Sequence, residues 1–134
     1  MIVLMAAAAL AAGGAESIVG KWRAETKGAV IEIARCGSSI CGKLTGSDGL
    51  RANPDMLDAK NKEPKLRGRR VMGLEMISGA FTFADGSWSG GTVYNPDDGG
   101  TYKATLTLPD NDHLKLKGCI VWPLCKTQTW TRIR

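Results

Sequence analysis

Four cysteines, one histidine, scattered aspartates and a run of lysines and arginines are the residues of this chain best equipped for chemistry. The cysteines form two close pairs, Cys36/Cys41 and Cys119/Cys125, each bracketing a short turn-like segment. Such pairs serve as disulfides or as zinc ligands. Zinc knuckles are usually spaced C-x2-C, and these gaps are wider, so no metal site is expected. Spacing allows three disulfide pairings. The local one is favoured, each bridge worth roughly 2 kcal/mol through loop closure, whereas a crossed Cys36–Cys119 bridge would close a longer loop worth roughly 4.5 kcal/mol.

The other chemical candidates are weaker. The segment Gly37-Ser38-Ser39-Ile40-Cys41-Gly42-Lys43 fits most of a phosphate-binding loop. That loop needs Ser or Thr after the lysine and a following helix, but Leu44 and a strand-like segment follow. A nucleophilic triad would need His113, which sits in a turn after Pro109-Asp110-Asn111-Asp112, and the chain has no Gly-x-Ser-x-Gly elbow. Asp97, Asp98, Asp110 and Asp112 lie in turn sequences without EF-hand spacing. No catalytic residue and no cofactor is therefore expected. Lys60, Lys62, Lys65, Arg67, Arg69 and Arg70 form a basic run diluted by Glu63. Without interleaved aromatics it does not read as a nucleic-acid surface. It reads first as a solvated loop face. In its functional reading, Arg67 or Arg69 stands at a cavity mouth, where a guanidinium can clasp a carboxylate or phosphate.

The elements that must position these residues are strands. The apolar run Ile2–Ala12 and the small residues up to Ala15 read as a signal peptide, leaving one domain over residues 16–134. The run is shorter than the roughly 20 residues of a membrane helix, and no lipoprotein cysteine follows it, so no membrane anchor is expected. Export suits oxidised cysteines, argues against nucleic acid and points to the periplasm or the medium. The net charge of +5 belongs to the exported part.

Period-2 alternation recurs over Val19–Glu25, Ala29–Cys36, Ile40–Thr45, Arg70–Ile77, Trp88–Tyr94, Thr101–Leu108, His113–Ile120 and Cys125–Ile133. Most links between these segments are short, so neighbours should pair antiparallel. Eight up-and-down strands then close into a barrel without exposed edges. Gly20-Lys21-Trp22 at the start and Trp130-Thr131-Arg132 at the end are a pattern shared by lipocalin-like barrels. There a basic side chain lies across the tryptophan that closes one barrel end, a cation–π contact of about 0.5–2 kcal/mol. Trp22 and Arg132 are therefore expected to close the barrel. One long insertion, Gly46 to Arg69, breaks the rhythm and has room for a short helix at Pro54–Ala59.

The inward face reads as Ile31 and Ile33; Met72, Leu74 and Met76; Tyr102, Ala104, Leu106 and Leu108; and Leu114 and Leu116. The aromatic residues Trp88, Tyr94, Tyr102 and Trp122 read as core or rim. An apolar interior suits a greasy ligand. It suits equally a barrel filled by its own side chains, and a domain this small favours the filled interior.

The chain resembles domain-of-unknown-function family 2147, short exported bacterial proteins. The resemblance rests on Gly20-Lys21-Trp22, on Val30–Ile33 leading into Cys36–Lys43, on Asp58–Asn61 and Pro64–Arg69, on Trp88–Gly91 and Tyr94–Gly99, and on Leu116–Cys119 and Thr127–Arg132. Arg70 departs from a pattern that prefers proline there. The resemblance implies a lipocalin-like β-barrel in the periplasm or outside the cell, and no established activity.

The expected fold is thus all-β: a single eight-stranded antiparallel up-and-down barrel with one long loop or short-helix insertion. Two functions fit it. The first is a non-enzymatic binding protein whose mouth, lined by Met72, Leu74, Met76, Tyr94 and Tyr102 and rimmed by Arg67 and Arg69, holds a fatty acid or another small amphipathic ligand. The second is an envelope interaction protein with a filled barrel, meeting an anionic partner through its outer surface or loop 46–69.

Overall fold

The computed structural model describes residues 14–121 and 123–134, so residues 1–13 of the expected signal peptide, and Trp122, lie outside the described part. Nine strands follow in order: β1 Gly20–Arg23, β2 Val30–Cys36, β3 Ser39–Gly46, β4 Glu75–Ser78, β5 Thr82–Ala84, β6 Ser87–Asn95, β7 Gly100–Asp110, β8 His113–Val121 and β9 Leu124–Ile133. Each pairs antiparallel with the next, except that β4 and β5 both lie along the same edge of β6. They form one barrel strand, interrupted at Gly79-Ala80-Phe81. The pairings β4–β6 and β1–β9 close the sheet, so the barrel has eight staves.

The interruption is built, not accidental. The Ser39 hydroxyl donates to the Gly79 carbonyl at 2.8 Å and accepts from the Phe81 N–H at 2.8 Å. Backbone groups freed by the break are thereby satisfied. Phe81 turns inward, and its ring fills the space that a side chain at Gly91 would need.

Alternation sorts the side chains as periodicity requires. Ile31, Ile33, Leu114 and Leu116 are buried, while their neighbours Glu32, Lys115 and Lys117 are exposed. Register places Trp22 opposite Ile31 on one side and Arg132 on the other. The Arg132 guanidinium carbon stands 4.3 Å from the Trp22 ring centroid. Gly20 makes room for it: a Cβ there would lie 2.9 Å from Arg132 Nη1.

A short 3₁₀ turn, Ala15–Ile18, caps this end of the barrel. Trp22 Nε1 donates to the Ile18 carbonyl at 2.9 Å, and Trp88 Nε1 donates to the Ala15 carbonyl at 3.1 Å. Arg132 donates to the carbonyls of Ser17, Val19 and Asn111. Ile18 is completely buried against the core. The turn fills the barrel end with its own side chain and supplies acceptors to both indoles. Each donor that would otherwise be buried alone has a partner.

Two expectations need correction. The fourth strand starts at Glu75, not Arg70. Val71 N–H donates to the Met56 carbonyl of the insertion, and Leu74 N–H donates back to the Val71 carbonyl at 3.0 Å, so this stretch makes a turn before the strand begins. Met72, Leu74 and Met76 consequently do not share a strand face. The helix of the insertion is Asp48–Ala52, not Pro54–Ala59, because Ser47 caps it, its hydroxyl accepting from Leu50 N–H at 3.1 Å. A second 3₁₀ turn covers Pro64–Leu66. Both disulfides are local, Cys36–Cys41 across the β2–β3 hairpin and Cys119–Cys125 across the β8–β9 hairpin.

Burial of Trp22 predicts a large effect. Trp22→Ala should lose about 3–5 kcal/mol of unfolding free energy, read as a lower midpoint in urea or heat. A wild-type midpoint would remove the clasp from the account.

Candidate functional site

The opposite end of the barrel is open. The β1–β2, β6–β7 and β8–β9 connections surround a cavity of about 770 Å³. Ile31, Val93, Leu116 and Trp130 form its apolar floor and walls. The expected filled interior therefore holds only for the half next to the clasp. The reason lies in side-chain size: Ala24, Ala29 and Gly118 line the mouth, where the other half has Ile, Trp and Phe.

Polar groups sit on the rim. Lys27 pairs with Asp97 at 2.9 Å, both largely exposed. Asp98 accepts the Tyr102 hydroxyl at 2.6 Å and the Gly100 N–H at 2.7 Å. Burial alone would raise the Asp98 carboxyl, but these bonds and the Lys62 charge outweigh it and hold the group below its ordinary value. Lys126 and Gln128 follow each other along β9 on the face that carries Trp130. Gln128 accepts from Trp130 Nε1 at 3.0 Å through its carbonyl oxygen. Its amide NH2 makes no hydrogen bond among the described residues, and Lys126 makes no ion pair among them. An ammonium and an amide donor thus stand together above an apolar floor.

The sequence-derived site residues divide. Tyr94, Tyr102 and Met76 border the cavity. Leu74 is buried in the turn before β4, and Met72 in the same turn is 39% exposed. Among the described residues neither Arg67 nor Arg69 reaches the cavity lining. Arg67 Nε donates to the Asn61 carbonyl at 2.7 Å. Arg69 Nε donates to the Asp58 carboxylate at 3.0 Å, and its guanidinium lies 5.5 Å from the Tyr94 ring centroid.

Asp58 is the centre of a clamp that sequence reasoning missed. Its side chain is fully buried and also accepts the Tyr94 hydroxyl at 2.6 Å and Asn61 Nδ2 at 2.9 Å. Burial would raise its pKa, but the hydrogen bonds from Tyr94, Asn61 and Arg69, with the Arg69 charge, hold it below 3.8. Burial first, then the facing carboxylate, push the Tyr94 phenol up to about 12. The insertion is thereby tied to β6. It also packs against the β6–β7 turn, where a Cβ on Gly99 would lie 1.9 Å from the Lys60 carbonyl oxygen. Gly99 also has φ +71°, so only glycine fits both demands.

His113 lies at the other end of β8, its Nδ1 2.9 Å from Asp110. Among the described residues no group of three or more His, Cys, Asp or Glu is placed to hold a metal ion.

A closed eight-stranded antiparallel barrel, clasped by tryptophan and arginine at one end and hollow at the other, is a lipocalin-like barrel. Residues 20–132 match the model of the family described as "Uncharacterized protein conserved in bacteria (DUF2147)", and the chain belongs to that family. Among solved structures it is similar to Helicobacter pylori HP1028, described as belonging to the lipocalin family. The two share 23% identity over 87% of this chain and 83% of that one, with a TM-score of 0.77. No curated protein matches the chain.

The clamp has a pH signature. The Asp58 pKa is lower in the folded chain, so its contribution is present in full above the ordinary value of 3.8 and is lost as pH falls through the folded pKa. The Tyr94 pKa is raised, so its contribution is complete below 10.0 and is lost as pH rises through about 12. Asp58→Ala should cost about 1–3 kcal/mol at neutral pH by leaving buried donors unpaired. Urea titrations should show that difference shrinking in acid; a pH-independent difference would contradict the assignment.

Proposed function

We propose that the protein is an exported, non-enzymatic binding protein that holds a small amphipathic, lipid-like molecule in the barrel mouth. The observation that carries this reading is the cavity: about 770 Å³, apolar in its floor, with Lys126 and Gln128 above it. That volume lies in the range of roughly 300–1,000 Å³ used by small-molecule sites. Apolar burial would supply affinity at about 25 cal/mol per Å². Lys126, not Arg67 or Arg69, would take the anionic head, with Gln128 as a second donor. Met76, Tyr94 and Tyr102 would border the chain of the ligand. The description of HP1028 as a lipocalin supports a binding role by analogy of fold.

Export is supported by the leader-like start and by two disulfides, which persist in oxidising compartments such as the periplasm or the medium. A non-enzymatic role is supported by the site itself. Its only tyrosine hydroxyls are committed to Asp58 and Asp98, and His113 stands at the far end of the barrel. The rival reading, an anionic envelope partner for loop 46–69, is favoured by one observation: Lys60, Lys62 and Lys65 are exposed.

Gently purified protein examined by native mass spectrometry should carry a co-purified lipid, or take up a fatty acid on titration. Gly118→Leu should abolish uptake while the fold persists, because a Cβ there meets Tyr102 and Val93 only at ordinary contact distance, 3.6 Å. Lys126→Ala should weaken uptake roughly tenfold, about 1.4 kcal/mol. Repeated recovery of bare protein with no fatty-acid uptake would contradict the proposal.

A further inference from the structure

The tip of the β8–β9 hairpin is unusually apolar for a surface. Ile120 is 70% exposed, Val121 59% and Leu124 64%. The Cys119–Cys125 disulfide ties the base of this tip, with a Cα–Cα distance of 4.0 Å. An exposed apolar cluster of this kind marks a contact with something other than water.

The charges around it select the contact. The Lys60 carbonyl abuts Gly99, and the Lys62 charge acts on Asp98, so the basic insertion shares the mouth end with the tip. Most acids at that end are engaged. Asp48 pairs with Arg51, Asp55 with Arg70, Asp58 with Arg69 and Asp97 with Lys27. The Glu25 carboxylate accepts the Thr129 N–H. Lys60, Lys62, Lys65 and Lys126 make no ion pair among the described residues. Lys126 stands beside the apolar tip, and Lys60 and Lys62 lie by the β6–β7 turn at the same end of the barrel. That arrangement matches a surface with phosphate head groups outside and acyl chains beneath, where cations are attracted within a Debye length.

We propose that the β8–β9 tip inserts Ile120, Val121 and Leu124 into the interface of an anionic bilayer, with Lys60, Lys62 and Lys65 on the head groups, so that the barrel mouth faces the lipid. Ile120 and Leu124 also line the cavity, so this seating joins the cavity to the bilayer along one apolar surface. The proposal does not depend on ligand uptake, since docking is read without any added ligand.

Vesicle flotation tests it, using the protein as recovered from the cell envelope. Intact mass first establishes the N-terminus, because a retained Met1–Ala12 stretch would bind vesicles by itself. Binding to phosphatidylcholine–phosphatidylglycerol vesicles should exceed binding to phosphatidylcholine alone by roughly tenfold and fall at high salt. The triple variant Ile120→Ser, Val121→Ser, Leu124→Ser should lose roughly tenfold or more in partition at an unchanged melting temperature. The triple variant Lys60→Glu, Lys62→Glu, Lys65→Glu should lose binding to anionic vesicles only. Equal flotation of wild type and tip variant, or flotation of neither, would overturn the proposal. So would a dimer in light scattering that the tip variant dissolves, with no vesicle binding, since a second copy would then cover the tip.

Discussion

The fold depends on a single constraint: the first strand must meet the last. A sheet of eight staves with open edges would present unpaired backbone groups to solvent and to other chains. Closure through β1 and β9 removes them. The pairing is only three residues long, Lys21 to Arg23 against Thr131 to Ile133, so side chains have to reinforce it. Trp22 and Arg132 do so from directly opposed positions. The indole contributes buried area, and the guanidinium adds attraction to the ring and three hydrogen bonds to backbone carbonyls. Arginine suits this place because its planar fork can stack and donate at once.

Sealing one end shapes the other. The Ala15–Ile18 turn, Trp22, Trp88 and Phe81 fill the clasped half, so the small residues of the mouth half can leave space without emptying the whole core. The mouth then needs a stable frame, and the long insertion supplies one side of it. That insertion is held not by apolar burial alone but by one buried carboxylate with three side-chain donors. A buried charge so fully paired fixes the loop in one geometry, and removing any partner leaves the others exposed to the cost of burial.

The sequence announced the barrel well because its signals are local. Alternation of apolar and charged residues located seven of the staves, and Gly20-Lys21-Trp22 with Trp130-Thr131-Arg132 indicated where the circle closes. The fourth stave starts later than alternation suggests because Val71 and Leu74 are apolar for another reason: they are buried in the turn that ends the insertion, where Met72 is exposed. The strand Thr82–Ala84 escapes the alternation because three residues are too few to show a period. The site was less legible. Arg67 and Arg69 have the chemistry of anion ligands, and Arg69 does face a carboxylate, but it is the chain's own Asp58, eleven residues back across the insertion, a pairing that no strand or helix period marks. Lys126 was within reach of the alternation. Counting back by twos from Trp130 through Gln128 puts it on the inward face at the mouth. What no periodicity could supply is the empty volume, which follows from Ala24 and Ala29 of the β1–β2 connection and Gly118 of β8 meeting at the mouth.

The central claim is a barrel closed at the Trp22 end and receptive at the Lys126 end. Residue-resolved NMR during a fatty-acid titration tests it most directly. The account predicts shift changes at Ile31, Val93, Tyr102, Leu116, Lys126 and Gln128, with the Trp22 indole N–H unmoved. Changes confined to the Lys60–Arg70 segment, or centred on Trp22, would contradict it.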